Sequence, residues 1–274
     1  MGKPDLTDAA RPATFEVEAY NERGEMVPTA IAGEHPLTLY LDKREIVTLM
    51  TLGHAPEALV IGYLRNQRLV DSVDDIAAVQ VDWETNSAAV VTRRKKKINL
   101  DKKTVTSGCG QGTMYGDLMD EIDKVRLRKD VSLDDEKLFV LIDRVRKHET
   151  IYKQAGAVHG CALATLGGEI LMFVEDVGRH NAVDAIAGFM WLGGIDGSDK
   201  VFYTTGRLTS EMVIKCAQMR IPFLVSRSGL TQMGHEIARK VGITMLGRAS
   251  GRHYLVFSGR ERLKRTAPQR TAVA

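Results

Sequence analysis

Cysteine is scarce in this chain of 274 residues, which contains only Cys109, Cys161 and Cys216. An odd, low number of cysteines excludes a disulfide framework and fits a reducing compartment. The sequence also lacks a basic leader followed by an apolar run, and it has no apolar stretch near the roughly 20 residues that span a bilayer. These absences predict a cytoplasmic protein without a membrane segment.

Neither sign of charge dominates, because 38 basic residues stand against 35 acidic residues for a net charge of +3. That balance argues against nucleic acid as the main partner but is compatible with a small polyanion at a locally basic site. The 25 glycines and seven prolines are ordinary numbers and indicate neither disorder nor a fibrous repeat. A hydrophobic fraction of 44% is enough for the core of one domain or of two closely packed domains.

The first third of the sequence predicts a β-rich region with one helix. Alternating apolar residues favour strands over residues 15–20, 37–41, 76–82 and 87–92, and a proline-led run favours a helix over 56–64. The basic run 93–97 marks a change of composition. We therefore predict a β-rich N-terminal domain over 1–103, with a loose arm over 1–13, and a second domain over 104–274.

The second part predicts strands that alternate with helices. A long helix is expected over 132–154, capped by Ser132, and a hairpin over 157–176 turns at Gly167-Gly168. Further helices are expected over 181–192, 209–219 and 231–241, and further strands over 200–204, 222–226, 243–247 and 253–257. This alternation is typical of a layered α/β domain with a largely parallel sheet.

Four loops should lie beyond the carboxyl ends of these strands, where such sheets bind ligands. They carry hydroxyls, glycines and basic side chains, a composition that suits phosphate at a helix N-terminus. The alternative is that the hydroxyls are only helix caps and the glycines only turns. The side chains concerned are Glu175, Arg179 and His180, then Arg207, then Ser226, Arg227, Ser228 and Thr231, then Arg248 and Arg252.

The three cysteines and one histidine allow competing interpretations. Cys161 and Cys216 lie in apolar runs, which predicts that they are core residues. Cys109 lies among Gly, Ser, Thr and Gln, near a basic segment whose positive charge favours the thiolate form. Cys109 is either a reactive thiol or an incidental surface thiol. His159 is either a core histidine or a zinc ligand, but the deaminase spacing and any Cys-x-x-Cys are missing, so a catalytic zinc is not expected.

These motifs together resemble those of the FdhD/NarQ family. The resemblance covers roughly residues 15–260. It rests on 175–184 (EDVGRHNAVD), on 205–207 (TGR) with 210–212 (SEM), on 226–228 (SRS) with Thr231, and on 106–110 (TSGCG). It implies an α/β (α+β) fold, with a cytidine deaminase-like three-layer domain that lacks the deaminase metal site and a smaller β-rich N-terminal domain.

The resemblance also implies a function that composition alone does not suggest. Family members are sulfurtransferases that take sulfur from a cysteine desulfurase as a persulfide, here on Cys109. They pass the sulfur to the bis-molybdopterin guanine dinucleotide form of the molybdenum cofactor, which is then inserted into formate dehydrogenase. Members are usually homodimers. The family's cofactor-binding segment matches Leu246, Gly247, Arg248, Ala249, Ser250 and Gly251, and charge extends it to Arg252.

One departure from the family pattern leaves the function open. Many members carry a second cysteine in the mobile loop, where this chain has Gly112, so a persulfide on Cys109 has no internal resolving thiol. Either one cysteine suffices, or the protein is a non-catalytic chaperone that only binds the cofactor. A nucleotide-processing enzyme is a third possibility, disfavoured by the missing metal ligands. Glu175 and His180 either assist proton transfer or hold their loop, for instance by a pair between Arg179 and Asp176 or Glu175.

Overall fold

The computed structural model of this protein describes residues 2–93, 104–105, 112–113, 122, 125–148 and 150–265. Within that range the first part of the chain forms β1 (Asp5–Leu6), β2 (Thr14–Tyr20), β3 (Met26–Ala32), β4 (His35–Leu41), β5 (Arg44–Thr51), α1 (Pro56–Asn66), β6 (Ile76–Asp82) and β7 (Ser87–Thr92). Five of these strands form a sheet in the order β1-β6-β7-β4-β5, and β2 and β3 form a separate hairpin.

The β4–β5 hairpin shows why the sequence folds in this way. Leu37, Leu39 and Leu41 alternate with more exposed residues and enter the core, as a strand with one buried face requires. Asp42 and Lys43 form the turn between the two strands and adopt φ angles of 47° and 71°. Two successive residues with positive φ match the right-handed twist of the strands that they join.

The expectation of a loose N-terminal arm is wrong. Strand β1 pairs in parallel with β6, and the indole Nε1 of Trp83 donates a hydrogen bond to the carbonyl of Ala9 at 2.6 Å. The amide of Arg11 donates to the carbonyl of Gly53 at 2.8 Å. Without the arm, β6 would present an unpaired edge, so its free backbone groups explain why a polar segment without periodicity is ordered.

The rest of the described chain is an alternation of strands and helices around a second sheet. Its elements are β8 (Thr104–Val105), β9 (Gly112–Thr113), β10 (Leu133–Asp134), α2 (Asp135–His148), α3 (Ile151–Ala155), β11 (His159–Thr165), β12 (Ile170–Asp176), α4 (Arg179–Gly193), β13 (Lys200–Thr204), α5 (Ser210–Gln218), β14 (Phe223–Ser226), α6 (Gln232–Val241), β15 (Thr244–Ser250), β16 (His253–Ser258) and β17 (Leu263–Lys264). Two short pairs, β8 with β9 and β10 with β17, stand apart from the main sheet.

The main sheet has the order β12-β11-β13-β14-β15-β16, and the prediction that it is largely parallel is wrong. Only β13–β14 and β14–β15 pair in parallel, because α5 and α6 return the chain to the same end of the sheet. The other three pairings are antiparallel, two of them because tight turns join β11 to β12 and β15 to β16. A mixed α/β architecture is therefore confirmed, with a different balance of strand directions.

The single long helix predicted over 132–154 is also wrong. The chain forms α2 and then α3, and the carboxylate of Asp134, not Ser132, accepts the amide of Glu136 at 2.9 Å, as a capping side chain does. The second helix starts afresh because the carboxylate of Glu175 accepts the amides of Ile151 and Tyr152 at 2.9 and 3.0 Å. A distant carboxylate thus interrupts a pattern that is locally continuous.

Helices cover both faces of the main sheet. One face packs against α4, α5 and α6, and this core continues through α1 into the N-terminal sheet. The opposite face packs against the apolar side of α2, formed by Leu138, Leu141, Ile142 and Val145. No helix among the described residues is long and apolar enough to span a bilayer. The division of the chain at residues 103 and 104 stays a prediction.

Helices α1 and α4 cross with their backbones in contact. A Cβ atom at Gly62 would lie 1.7 Å from the carbonyl oxygen of Asp184, and one at Gly188 would lie 1.9 Å from that of Ala58. Real Cβ atoms do not approach backbone atoms so closely, so both positions require glycine. The crossing attaches the N-terminal sheet to the helix whose first turn follows β12.

We predict that Gly188→Ala lowers the free energy of unfolding by about 3 kcal/mol or more, because a backbone atom cannot move aside for the new methyl group. Urea denaturation followed by circular dichroism measures the change. Gly193→Ala in the same helix is the matched control, since its Cβ would meet only the side chain of Ile195 at 3.4 Å. Equal stability of the two variants would contradict the close crossing.

Candidate functional site

Four loops meet at one edge of the main sheet, as the sequence predicted. Strands β12, β13, β14 and β15 all run toward that edge, and backbone hydrogen bonds join the loops that follow them. The amide of Arg227 donates to the carbonyl of Thr204 at 3.2 Å, and that of Arg248 donates to Ser228 at 2.9 Å. Helices α4, α5 and α6 begin here, so their N-terminal amides favour negative charge at this edge.

The turn from β12 into α4 is shaped by the N-terminal sheet. The carboxylate of Asp176 accepts the hydroxyl of Thr51 at 2.6 Å, and it also accepts the amide of Gly178 and the side-chain amide of Asn181, each at 2.9 Å. Asn181 donates to the carbonyl of Met50 as well, at 2.6 Å. Burial raises the pKa of Asp176, and the hydrogen bonds that it accepts oppose that shift. Sequence analysis named Asp176 only as a possible partner of Arg179, and it could not foresee the contacts with Thr51 and Met50, which are more than 100 residues away.

Glu175 holds a neighbouring helix. Both of its carboxylate oxygens accept backbone amides at the start of α3, and one of them also accepts the hydroxyl of Thr150 at 3.3 Å. The described contacts contain no ion pair of Arg179 with Glu175 or Asp176, which was the expected structural pair. Glu175 instead caps α3, and Asp176 accepts a hydrogen bond from Gly178 in the turn before α4. A role for Glu175 in cofactor binding stays a prediction.

Arg179 is a buried cation at this edge, and two of its nitrogens find no hydrogen-bond acceptor among the described residues. It is 8% exposed, and within the described part of the chain its Nε and Nη2 atoms have no hydrogen-bond partner. Its side chain lies against Gly206, where a Cβ atom would be 2.9 Å from Cδ of Arg179. A buried guanidinium without an acceptor is costly, so the arrangement is suited to an anion that completes it.

His159, the first residue of β11, lies half-buried beside this guanidinium. Its Nδ1 is 3.5 Å from Oγ1 of Thr205. Burial lowers the pKa of His159, and the positive charges of Arg179, Arg227 and Arg207 lower it further. The sequence could not distinguish a core histidine from a ligand. The structure puts the ring at the loop edge among three of the predicted arginines.

The hydroxyl residues of the third loop mainly build it. Ser226 is buried, donates its hydroxyl to the carbonyl of Gly206 at 2.7 Å and accepts the amide of Ser228 at 2.9 Å. Thr231 caps α6 by accepting the amide of Gly234 at 3.2 Å. The helix-cap alternative is thus confirmed for Thr231. The side chains of Arg207 and Arg227, in contrast, are exposed to solvent.

The segment from Leu246 to Arg252 divides between the core and a second cavity. Leu246 and Ala249 are fully buried under α2, so their side chains face the core. Arg252 forms an ion pair with Glu136 and stacks over Phe139 at 4.5 Å. With Ser250 and Gly251 it lines a cavity of about 620 Å³ along α2. The predicted basic turn is shorter than expected, because β15 continues to Ser250.

His180 lies in the interior and not at the loop edge. It is 2% exposed, with Nδ1 3.5 Å from Oε1 of Glu211, and burial together with the charge of Lys215 lowers its pKa to about 3. Lys215 binds Asp184 at 2.8 Å and Glu211 at 3.2 Å. The side-chain amide of Asn66 donates to the second oxygen of Asp184 at 2.7 Å. These contacts join α1, α4 and α5, which favours the interpretation that His180 holds its loop.

The structure describes two of the three cysteines. Cys161 and Cys216 are fully buried, and burial raises the pKa of both thiols, to about 12 for Cys161. The core interpretation of these two residues is confirmed. Cys109 lies outside the described residues. Over the described ranges, no group of three His, Cys, Asp or Glu side chains is arranged to hold a metal ion.

Comparison with known proteins shows the family to which this chain belongs. Residues 32–264 match the model of the FdhD/NarQ family. This chain belongs to that family. It is 29% identical over 264 residues to the sulfur carrier protein FdhD of Listeria innocua, which covers 94% of this chain and 99% of the relative. It is 30% identical to the protein of that name from Wolinella succinogenes over 84% of this chain and 82% of the relative.

A solved structure extends the family likeness to the fold. A crystal structure from Desulfotalea psychrophila, of a protein described as a formate dehydrogenase accessory protein, superposes with a TM-score of 0.74. The two chains are 26% identical, and the match covers 92% of this chain and all of the other. The mixed α/β architecture described above is therefore that of a family member.

We predict that Lys215→Met lowers the free energy of unfolding by about 3–5 kcal/mol, because two buried carboxylates lose their cation. Urea denaturation of this variant and of Lys137→Met, which alters an exposed helical lysine, measures the difference. Adding Asp184→Asn to Lys215→Met should recover part of the loss, since one uncompensated charge disappears. Strictly additive losses would contradict the coupling of the two side chains.

Proposed function

We propose that this protein is a cytoplasmic sulfur carrier that serves the maturation of formate dehydrogenase. It accepts sulfur from a cysteine desulfurase as a persulfide on Cys109 and transfers it to the bis-molybdopterin guanine dinucleotide form of the molybdenum cofactor. The cofactor, which is substrate and cargo here, then enters formate dehydrogenase. Membership of the FdhD/NarQ family and the names of its relatives support this assignment.

One observation of the structure carries the binding half of the proposal. Arg179 is buried at the point where three helices begin, and its Nε and Nη2 atoms have no acceptor among the described residues. Arg207 and Arg227 lie on the loops after β13 and β14, which open at the same edge of the sheet. Phosphate groups match both the fork of a guanidinium and the free amides of helix N-termini. The phosphates of a guanine dinucleotide are therefore the groups that we assign to this cluster.

The sulfur step needs only the chemistry of thiols. The thiolate of Cys109 attacks the outer sulfur of the desulfurase persulfide. The sulfur–sulfur bond of the desulfurase breaks, its cysteine leaves as a thiolate, and the outer sulfur stays on Cys109 without net oxidation. Cys161 and Cys216 are buried and their thiol pKa values are raised, so they are poor substitutes in this step.

Two finer assignments belong to the same proposal. Helices on both faces of the main sheet support a cytidine deaminase-like three-layer domain over 104–274, beside a smaller β-rich domain over 1–103. The homodimer in this proposal is carried over from the family resemblance. The segment from Leu246 to Gly251, extended to Arg252, is assigned to the cofactor. The cavity lined by Ser250, Gly251, Arg252 and Phe139 supports that assignment, because a stacked guanidinium and aromatic ring suit a flat heterocycle.

The second candidate is a cofactor chaperone that moves no sulfur. Its support is that the arginine cluster accounts for anion binding without Cys109, and that Gly112 stands where many family members have a second cysteine. The two candidates share the binding site and differ only in the chemistry at Cys109.

For sulfur transfer we predict a reducible mass gain of one sulfur, about 32 Da, after incubation of the protein with a cysteine desulfurase and cysteine. Intact-protein mass spectrometry should detect this gain in the wild type and not in Cys109→Ala. Cys161 and Cys216 remain in that variant and serve as the internal control. No gain with an active desulfurase would favour the chaperone, whereas a gain that persists in Cys109→Ala would assign the sulfur to Cys161 or Cys216 and contradict the role of Cys109.

For anion binding we predict that Arg179→Lys weakens the affinity for guanosine diphosphate by roughly 10- to 100-fold, because the ammonium keeps the charge but loses the bidentate fork. Isothermal titration calorimetry measures the dissociation constant. Arg239→Gln is the control, since it removes an exposed arginine from the last turn of α6. Equal losses in both variants would mean that general charge, and not this site, governs binding.

A further inference from the structure

His159 is held at the anion site by Thr205. The hydroxyl oxygen of Thr205 accepts the amide of Gly160 at 3.1 Å, which leaves its proton for Nδ1 of His159 at 3.5 Å. A neutral ring with an unprotonated Nδ1 fits this arrangement. A protonated ring would instead donate from Nδ1 to the same oxygen, so the contact can persist in either state.

Three cations approach His159 from three different segments. Arg179, in the first turn of α4, packs against Gly206, and Arg207 and Arg227 come from the loops after β13 and β14, where the amide of Arg227 donates to Thr204 at 3.2 Å. The charges of all three act on His159. Each disfavours a positive charge on the imidazole ring. An anion bound among them would offset their charge at the position of the ring.

Among the described acidic groups on the neighbouring strand β12, Glu175 does not supply that offset, because its carboxylate accepts the backbone amides that begin α3. Asp176 lies directly opposite on β12, but its carboxylate is directed to Thr51, Leu52, Gly178 and Asn181. His180 on α4 is buried and neutral, because its pKa is lowered to about 3. The charge state of His159 therefore depends chiefly on what occupies the arginine cluster.

We infer that binding of a dianion at Arg179, Arg207 and Arg227 causes protonation of His159, so that the site gains a fourth positive charge when it is loaded. The inference rests on the proposed anion site and adds a residue and a proton to it. Nδ1 of the protonated ring donates to Thr205, and the charge of the ring attracts the bound phosphate. The empty site avoids a fourth positive charge.

The direction of the pH dependence follows from linkage. In the empty site the pKa of His159 is lowered from its ordinary value by burial and then by the three arginines. A dianion raises that pKa, so binding takes up a proton. Affinity is therefore greatest below the pKa of the empty site and declines as the pH rises through the pKa of the loaded site.

The test is a histidine titration by NMR on the full chain labelled at the ring Cε1 carbon. The signal that disappears in His159→Gln identifies the residue, and exposed His253→Gln is the matched control. Titrations are recorded with no anion, with guanosine diphosphate and with sulfate, a dianion that has no proton to exchange near neutral pH. We expect the pKa of His159 to rise by about one unit or more with either anion.

Calorimetry of sulfate or nucleotide binding from about pH 5 to about pH 8 supplies a second readout. The wild type should lose about tenfold in affinity per unit of pKa shift across that window, and His159→Gln should lose less. Binding of both anions with an unchanged pKa of His159 would overturn this inference and leave the anion site standing. Failure of the wild type to bind either anion at any pH would remove the site and the inference together.

Discussion

The ion pair between Lys215 and Asp184 fixes the helix on which the site depends. Asp184 belongs to α4 and Lys215 to α5, and Asn66 attaches the same carboxylate to α1. Four residues farther along α4, Gly188 lets the backbone of α1 approach to contact. Because α4 is held at both places, the position of its first residue, Arg179, is determined by the core and not by the loop. A binding group on a rigid element loses little freedom when its ligand arrives.

The two buried cations of this region, Lys215 and Arg179, differ in whether the described residues compensate their charge. Lys215 is surrounded by Asp184 and Glu211, so its charge is compensated inside the protein and its pKa is raised. Arg179 is nearly as buried, but the described structure provides no acceptor for two of its nitrogens. The two cations lie close to one helix, because Asp184, which binds Lys215, follows Arg179 on α4. A structural charge and a functional charge are thus distinguished by their partners, since both are buried.

Local patterns predicted most of the strands and helices, whereas long-range contacts decided the exceptions. The run from Ile76 to Asp82 and that from Lys200 to Thr204 form strands over the predicted residues, because alternation or a short apolar run is a local property. The strands over 26–32 and 44–51 were not predicted, and Glu175 divides a helix that looks continuous in sequence. Residues 1–13 were expected to be loose because nothing local shows that β6 has an open edge.

The candidate site shows the same limit. Sequence reasoning found the arginines, since basic residues after strands are visible in the sequence. It could not separate Arg179, two of whose nitrogens have no acceptor among the described residues, from Arg252, which is paired with Glu136. It also could not place His159 among cations that come from three loops.

The chemistry of sulfur and the binding of phosphate impose different demands on a protein. An anion site needs fixed charges, which the core of α4 provides, while a transferable persulfide needs an accessible thiol, which neither buried cysteine offers. The proposed sulfur transfer is therefore assigned to Cys109, and the proposed anion site relies on the packed core.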